Sequence, residues 1–264
     1  MYWTKLKEIN KLLFRFKLSR YKMFQFDTIL NIVSNLTFVV LNLVFWYFIT
    51  DMGFFIEGWT YNDILVFVAF SEFFFGMDGA VFQLASRFWR IIYSGALDSQ
   101  LTRPIDPRLR LILLNMNHMG AINAFLTLIF LLVVSQAKLK IGLVLLGVVV
   151  TIFANITIAL VRFVCSYAGF WLGKMDAISE LLDSMSWFNK YPMTILPKAI
   201  KVVFKTVLPF YFFSTFSTEV VLGKLNVTTF CYGVAGLLCN LGLWSLINWV
   251  VWEKGIARYE GING

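Results

Sequence analysis

Residues 28–50 run for 23 positions without one charged side chain. Wound as a helix at about 1.5 Å per residue, such a run reaches across a hydrocarbon core about 30 Å thick. Lipid offers backbone N–H and C=O groups no partners, and a helix satisfies them internally. Similar apolar runs follow at 64–84, 111–134, 141–172 and 228–252. The composition agrees: 59% of residues are hydrophobic and 14% are charged, where a soluble domain carries about a quarter charged residues. The chain therefore reads as an all-α integral membrane protein, one transmembrane domain over residues 1–264.

Charge fixes a topology. Residues 1–27 hold seven basic and two acidic side chains, with Leu6, Ile9, Leu13 and Phe16 on one helical face and Lys7, Lys11 and Arg15 opposite. That pattern predicts an amphipathic helix lying in the inner membrane interface. The last span precedes Glu253, Lys254 and Arg258, so both termini are expected in the cytoplasm of a multi-pass plasma-membrane protein. Four spans return the chain to the inside near Lys174, which demands a further crossing before residue 228. Residues 175–191 are the candidate, although Glu180, Asp183 and Lys190 interrupt them. The expected total is about six transmembrane helices. Pro192, Pro197 and Pro209 forbid one continuous helix over 192–222, which reads as a re-entrant outer hairpin before the last span. This arrangement puts sixteen basic residues inside and seven outside.

The polar interruption at 85–110 is the densest basic loop, with Arg87, Arg90, Arg103, Arg108 and Arg110. Gly95 breaks one helical segment, residues 96–102 suit a short second one, and Pro104 and Pro107 end it. This is either a loop that only fixes topology or a docking knob for a soluble partner.

Acidic groups inside spans are costly and mark function by default. Glu72 and Asp78 lie in the second span. Glu72 either lines a pathway or pairs with another helix, and Asp78 is close enough to the inner end to reach the headgroups. Glu180 and Asp183, three apart, share a helix face. The sequence has no phosphate-binding loop, no GxSxG, no HExxH and no CxxC. Cys165, Cys231 and Cys239 lie in apolar runs without ligand spacing, and His118 is the only histidine, so no metal site is expected. No basic stretch suits nucleic acid. Any work must draw its energy from a partner or an ion gradient.

Gly95, Leu97, Asp98, Leu101, Arg103 and Pro104 form a G-x-L-D-x-x-L-x-R-P loop, and Tyr191 and Pro192 form a later Y-P pair. With Pro209 and the ending KGIARYEGING, these make the chain resemble the permease subunits of second-type ABC exporters, whose ATPase is a separate chain. The resemblance implies a non-enzymatic transport subunit that pairs with a second permease, in membrane lipid, over two ABC ATPase subunits. It implies no cofactor in this chain, with ATP and magnesium held by the ATPase. It places the docking helix near residues 91–102, with Ile91, Gly95, Leu97, Asp98, Leu101, Arg103 and Pro104 as its residues. Leu97 and Leu101, four apart, would share the face offered to the ATPase. Glu72, Glu180 and Asp183 remain candidates for the substrate path, and the polar fifth span leaves open whether the substrate is a drug, lipid, peptide or glycan. A proton-coupled secondary transporter using the same three carboxylates is the alternative, and the lack of an internal repeat counts against it. A membrane enzyme or scaffold is a third reading, and an enzyme would need a nucleophile or metal that the sequence lacks.

Overall fold

The computed structural model describes residues 11–15, 17, 19, 23, 25–53, 56, 58–206 and 209–260. Leu6, Ile9 and Phe16, which define the apolar face of the expected interfacial helix, lie outside the described residues; 11–15 are helical. All regular structure among the described residues is helical.

Helix α1 spans Gln25–Asp51 and α2 spans Tyr61–Met77. The start of α2 is fixed by a reciprocal cap, with the Thr60 N–H donating to the Asp63 carboxylate and the Asp63 N–H to the Thr60 hydroxyl. A π-helical turn, Asp78–Phe82, joins α2 to α3 at Leu84–Tyr93, so that Tyr61–Tyr93 behaves as one 33-residue rod. After α4, Asp98–Leu101, come α5, Pro107–Asn115, and α6, His118–Val134, bent by 66° against each other. The bend falls where the Asn117 side chain caps α6 by accepting from the Gly120 N–H, while the Asn117 N–H donates to the Ala80 carbonyl of the π-turn. Helix α7 spans Ile141–Tyr167, α8 Gly169–Leu172, α9 Asp176–Ser186, α10 Lys198–Thr206, α11 Thr215–Val221 and α12 Val227–Arg258.

Among the described residues, four helices are long and apolar enough to cross a membrane: Ile29–Asp51, Tyr61–Tyr93, Ile141–Leu172 and Val227–Arg258. The bent pair α5–α6 makes a fifth if counted as one span. The structure is thus a multi-pass helical membrane protein with four or five such helices, where the sequence suggested about six. The difference lies at 175–191. There α9 has 11 residues and gives way to a 3-10 turn at Trp187–Lys190, too short to cross unaided.

The segment after α8 nevertheless runs the length of the bundle in pieces. Asp176 meets Arg90 at the far end of α3, Asn189 meets Ser71 in the middle of α2, and Lys224 meets Asp63 at its start. Prolines at 192, 197 and 209 explain the breaks. Between them α10 is an excursion whose ends meet. The Met193 N–H donates to the Thr215 hydroxyl at 3.1 Å, and the Ser214 hydroxyl lies 2.7 Å from Asn189 Oδ1. Side-chain hydroxyls therefore satisfy part of the polar backbone that a continuous helix would have satisfied by itself.

The core surrounds α2, whose residues from Val66 to Phe70 are fully buried. By contrast, α1 and α12 turn apolar side chains such as Leu41, Leu243 and Trp249 outward, as lipid-facing helices do. Two glycines of the core helices allow close approaches. A Cβ on Gly147 of α7 would stand 2.5 Å from Val221 of α11 and 3.0 Å from the Phe70 ring; one on Gly76 would stand 2.7 Å from Ala124 of α6. Small residues at such crossings let helices pack in lipid, where no hydrophobic force drives them together. Replacing Gly147 by alanine should therefore cost about 1–3 kcal/mol by overpacking, whereas Gly142→Ala, with open space around it, should leave thermal stability in detergent unchanged. Equal melting temperatures for the two variants would contradict this packing.

Candidate functional site

The loop between α3 and α5 is built on a turn that only glycine makes cheaply. Gly95 has φ +69°, ending α3 and reversing the chain into the single turn of α4. The next residue but one, Leu97, is fully buried, 0% exposed. It enters a cluster made by Phe88 and Ile92 of α3, Leu111 of α5, Phe163 and Tyr167 of α7, and Trp252 of α12. The rings there meet edge-on or tilted, Phe88–Phe163 at 5.5 Å, Phe88–Trp252 at 5.9 Å and Tyr167–Trp252 at 5.1 Å. One short loop is thereby pegged to three long helices at once.

The peg changes how the leucine pair reads. Spacing alone put Leu97 and Leu101 on one outward face. In the structure Leu97 points into the bundle and Leu101 is 40% exposed. The surface of the loop consists of Ala96, Ser99, Leu101, Thr102, Arg103 and Pro104. Ile91 is half-buried against the same aromatic cluster, and Asp98 occupies the first turn of α4. Arg103 turns back, its Nε donating to the Ser99 carbonyl at 3.3 Å.

Further bonds stiffen the loop. Asp106 caps α5 by accepting from the Arg108 and Leu109 N–H groups, and its carboxylate also takes the Arg108 guanidinium at 2.6 Å. Burial pushes the Asp106 carboxyl up, but the Arg108 hydrogen bond and charge, with the two N–H groups, outweigh it and leave the group below its ordinary range. Arg108 also stacks over Trp252 at 4.8 Å, and Arg110 bonds to Gln100 across the loop. Tyr259, just past α12, sits beside Asp98. Burial and that carboxylate push its hydroxyl to about 12, though no hydrogen bond forms between them among the described residues. The end of the last helix is thus in electrostatic contact with the loop.

Above the loop lies a charged hub that the sequence did not reveal as a unit. Arg162 of α7 is 3% exposed. Its NH1 lies 2.6 and 2.5 Å from the two oxygens of Asp78 in the π-turn, and its NH2 donates to the Ser186 hydroxyl at 3.0 Å and stands 3.4 Å from Asp183. Asp78 therefore pairs with a buried cation on another helix. Two opposite charges within apolar runs were the available signal, but only the fold says which pair meets. Removing one partner of such a pair costs about 3–5 kcal/mol.

Of the three substrate-path candidates, Glu72 stands on α2, while Glu180 and Asp183 are three apart on α9. Glu72 accepts from the Asn42 side chain of α1 at 2.9 Å, Asp183 belongs to the hub, and Glu180 is exposed on α9. Among the described residues no hydrogen bond joins any two of them, and no group of three histidine, cysteine or acidic residues suits a metal ion.

A family model described as "ABC-2 family transporter protein" matches residues 36–262. The chain belongs to that family, and its fold is that of a membrane-embedded transport protein. Neither the curated proteins nor the solved structures give a match.

The two leucines of the loop should now separate in experiment. Leu97→Ser removes a buried side chain and should cost about 2–5 kcal/mol, while Leu101→Ser, at the surface, should stay within about 0.5 kcal/mol of the parent. Thermal unfolding of the purified protein measures both. If Leu97→Ser melts with the parent, the peg does not hold the loop.

Proposed function

We propose that this chain is the permease subunit of an ATP-binding-cassette exporter, moving its substrate with energy from ATP hydrolysed on a separate chain. The observation that carries the reading is the pegged loop, in a chain that belongs to the ABC-2 family. A partner's push on the outer face of 85–110, at Leu101, Arg103 and Pro104, reaches α3, α7 and α12 through Leu97 without passing through flexible chain. Ile91, Gly95 and Asp98 shape that face, and Leu97 serves as its root. Rigid contact of this kind is what coupling between sites needs.

In this reading the basic loop and both termini are cytoplasmic, following the positive-inside bias. Residues 1–27 lie along the inner leaflet. The segmented run from Asp176 to Lys224 supplies the crossing that topology demands, with 192–222 as the hairpin in its outer half. A second permease, the same or homologous, and two ATPase subunits complete the complex with lipid. Glu72 stands on α2 bonded to Asn42, apart from the Glu180 and Asp183 pair on α9, and this supports the reading over a proton-coupled transporter, which would need its carboxylates along one relay. The substrate stays a class: drug, lipid, peptide or glycan.

Orientation has a direct check. Ser94 and Ser99 are both exposed, so single cysteines there, with the native three replaced, should react with a membrane-impermeant thiol reagent only after cells are opened. Labelling of intact cells would reverse the topology. Energetics has another check. The purified chain alone should show no ATP turnover, and tagged protein should co-purify with an ATPase that has a phosphate-binding loop. Turnover by the isolated chain would sink the proposal.

A further inference from the structure

We propose that Arg162 is a positioning residue for coupled transport. It holds the π-helical turn at Asp78–Phe82 through Asp78 in the form seen here, and it exchanges that carboxylate for Asp183 when the turn resets. The inference rests on the ATP-coupled reading above.

Stoichiometry comes first. One guanidinium faces two carboxylates, and it matches them unequally: Asp78 takes NH1 with both oxygens at 2.5 and 2.6 Å, while Asp183 stands at 3.4 Å with its side chain 53% exposed. The Arg162 Nε is buried without a partner among the described residues. Asp78 sits on NH1 and Asp183 faces NH2, so closing the 3.4 Å gap to Asp183 requires either the guanidinium to shift off Asp78 or α9 to move in. Ser186 steadies the guanidinium by accepting from NH2 while its hydroxyl donates to the Leu182 carbonyl.

The position of Asp78 comes second. A π-turn is one extra residue accommodated in a helix, a local register that can be lost or moved, and such turns concentrate at functional sites. This one lies between α2 and α3, and α3 leads directly into the pegged loop. Its Ala80 carbonyl accepts from the Asn117 N–H at the bend between α5 and α6. Resetting the turn would thus move both arms of the loop together. Asp183 lies on α9, which is fastened to the same rod by Arg90–Asp176 and by the Ser179 hydroxyl on the Ser86 carbonyl. The hub stands between the two elements whose relative movement a stroke from the loop would change. A buried ionic group between helices, with two available partners, is a two-state contact of the kind that carries such a change.

The test uses the full chain in membranes, with Cys165, Cys231 and Cys239 replaced and Ser184→Cys on the exposed part of α9 as reporter. Asp78→Asn leaves Arg162 only Asp183, so α9 should be drawn in and maleimide labelling at 184 should slow by roughly tenfold, the scale of ordinary coupling. Asp183→Asn should label at the parent rate or faster. With the co-purifying ATPase bound and trapped by ATP and vanadate, the parent should fall to the Asp78→Asn rate and Asp183→Asn should not respond. Arg162→Lys, which keeps the charge but loses the fork that holds Asp78 on NH1 and Ser186 on NH2 at once, should keep the ATPase bound yet lose the nucleotide response. This gives a second measurement should Asp78→Asn fail to accumulate. Equal labelling of the two Asp variants, or an Arg162→Lys protein that responds like the parent, overturns the exchange. If the Asp variants differ as expected but trapping changes nothing, the hub exists without serving coupling, and the proposal is overturned at that step. A chain that retains no ATPase fails the ATP-coupled reading instead, and the nucleotide-free comparison shows which of the two has failed.

Discussion

A charge in the low-dielectric interior of a membrane protein has no water to turn to, and Arg162 is such a charge. Its presence dictates much of what surrounds it. Asp78 has to face it, which places the π-turn; Ser186 and Asp183 have to approach it, which fixes α9 against α7. The inner half of the segmented stretch after α8 is held by this hub together with Arg90–Asp176 and the Ser179 hydroxyl on the Ser86 carbonyl. Its outer half depends on neutral hydroxyls, Ser214 and Thr215 beside Asn189 and Met193, and Ser217 with Thr151. The bundle is apolar in bulk, yet polar contacts decide how its irregular part is seated.

The aromatic cluster below the hub works by a different principle. Phe88, Phe163, Tyr167 and Trp252 come from three long helices, and the cluster accepts Leu97 from the loop. Dispersion in a close-packed cluster is nondirectional but unforgiving of displacement. That is how a loop with one turn of helix can be rigid. Arg108 on the Trp252 ring and Asp106 at the start of α5 add direction to it. Peg and hub both contact α7, through Phe163 and Arg162, which are adjacent in sequence. Peg and hub thus meet at the same turn of one helix.

How much of this could be read beforehand depends on the kind of signal. Long apolar runs announced the long helices, because lipid thickness and backbone hydrogen bonding leave few other solutions. Prolines announced the broken segment, and Gly95 announced the turn. The bend between α5 and α6 was hidden, since the apolar pattern continues through residues 111–134 and only the Asn117 cap interrupts the helix. The crossing expected at 175–191 was inferred from topology rather than from hydropathy, and the structure has an 11-residue helix and a 3-10 turn there. Leu97 and Leu101 were indistinguishable by spacing, which gives the shared face of a helix but not which way that face turns. Asp78 and Arg162 are 84 positions apart, and nothing local pairs them.

The account stands on the outer face of the loop meeting an ATPase while its root stays in the bundle. The most direct measurement is disulfide or short-linker capture between a cysteine at 101 and the co-purifying ATPase, compared with a cysteine at 97, in native membranes. The account predicts capture of the ATPase from position 101 and none from position 97. Capture from neither position, with the ATPase still bound, would put the docking surface elsewhere and contradict the coupling role of this loop.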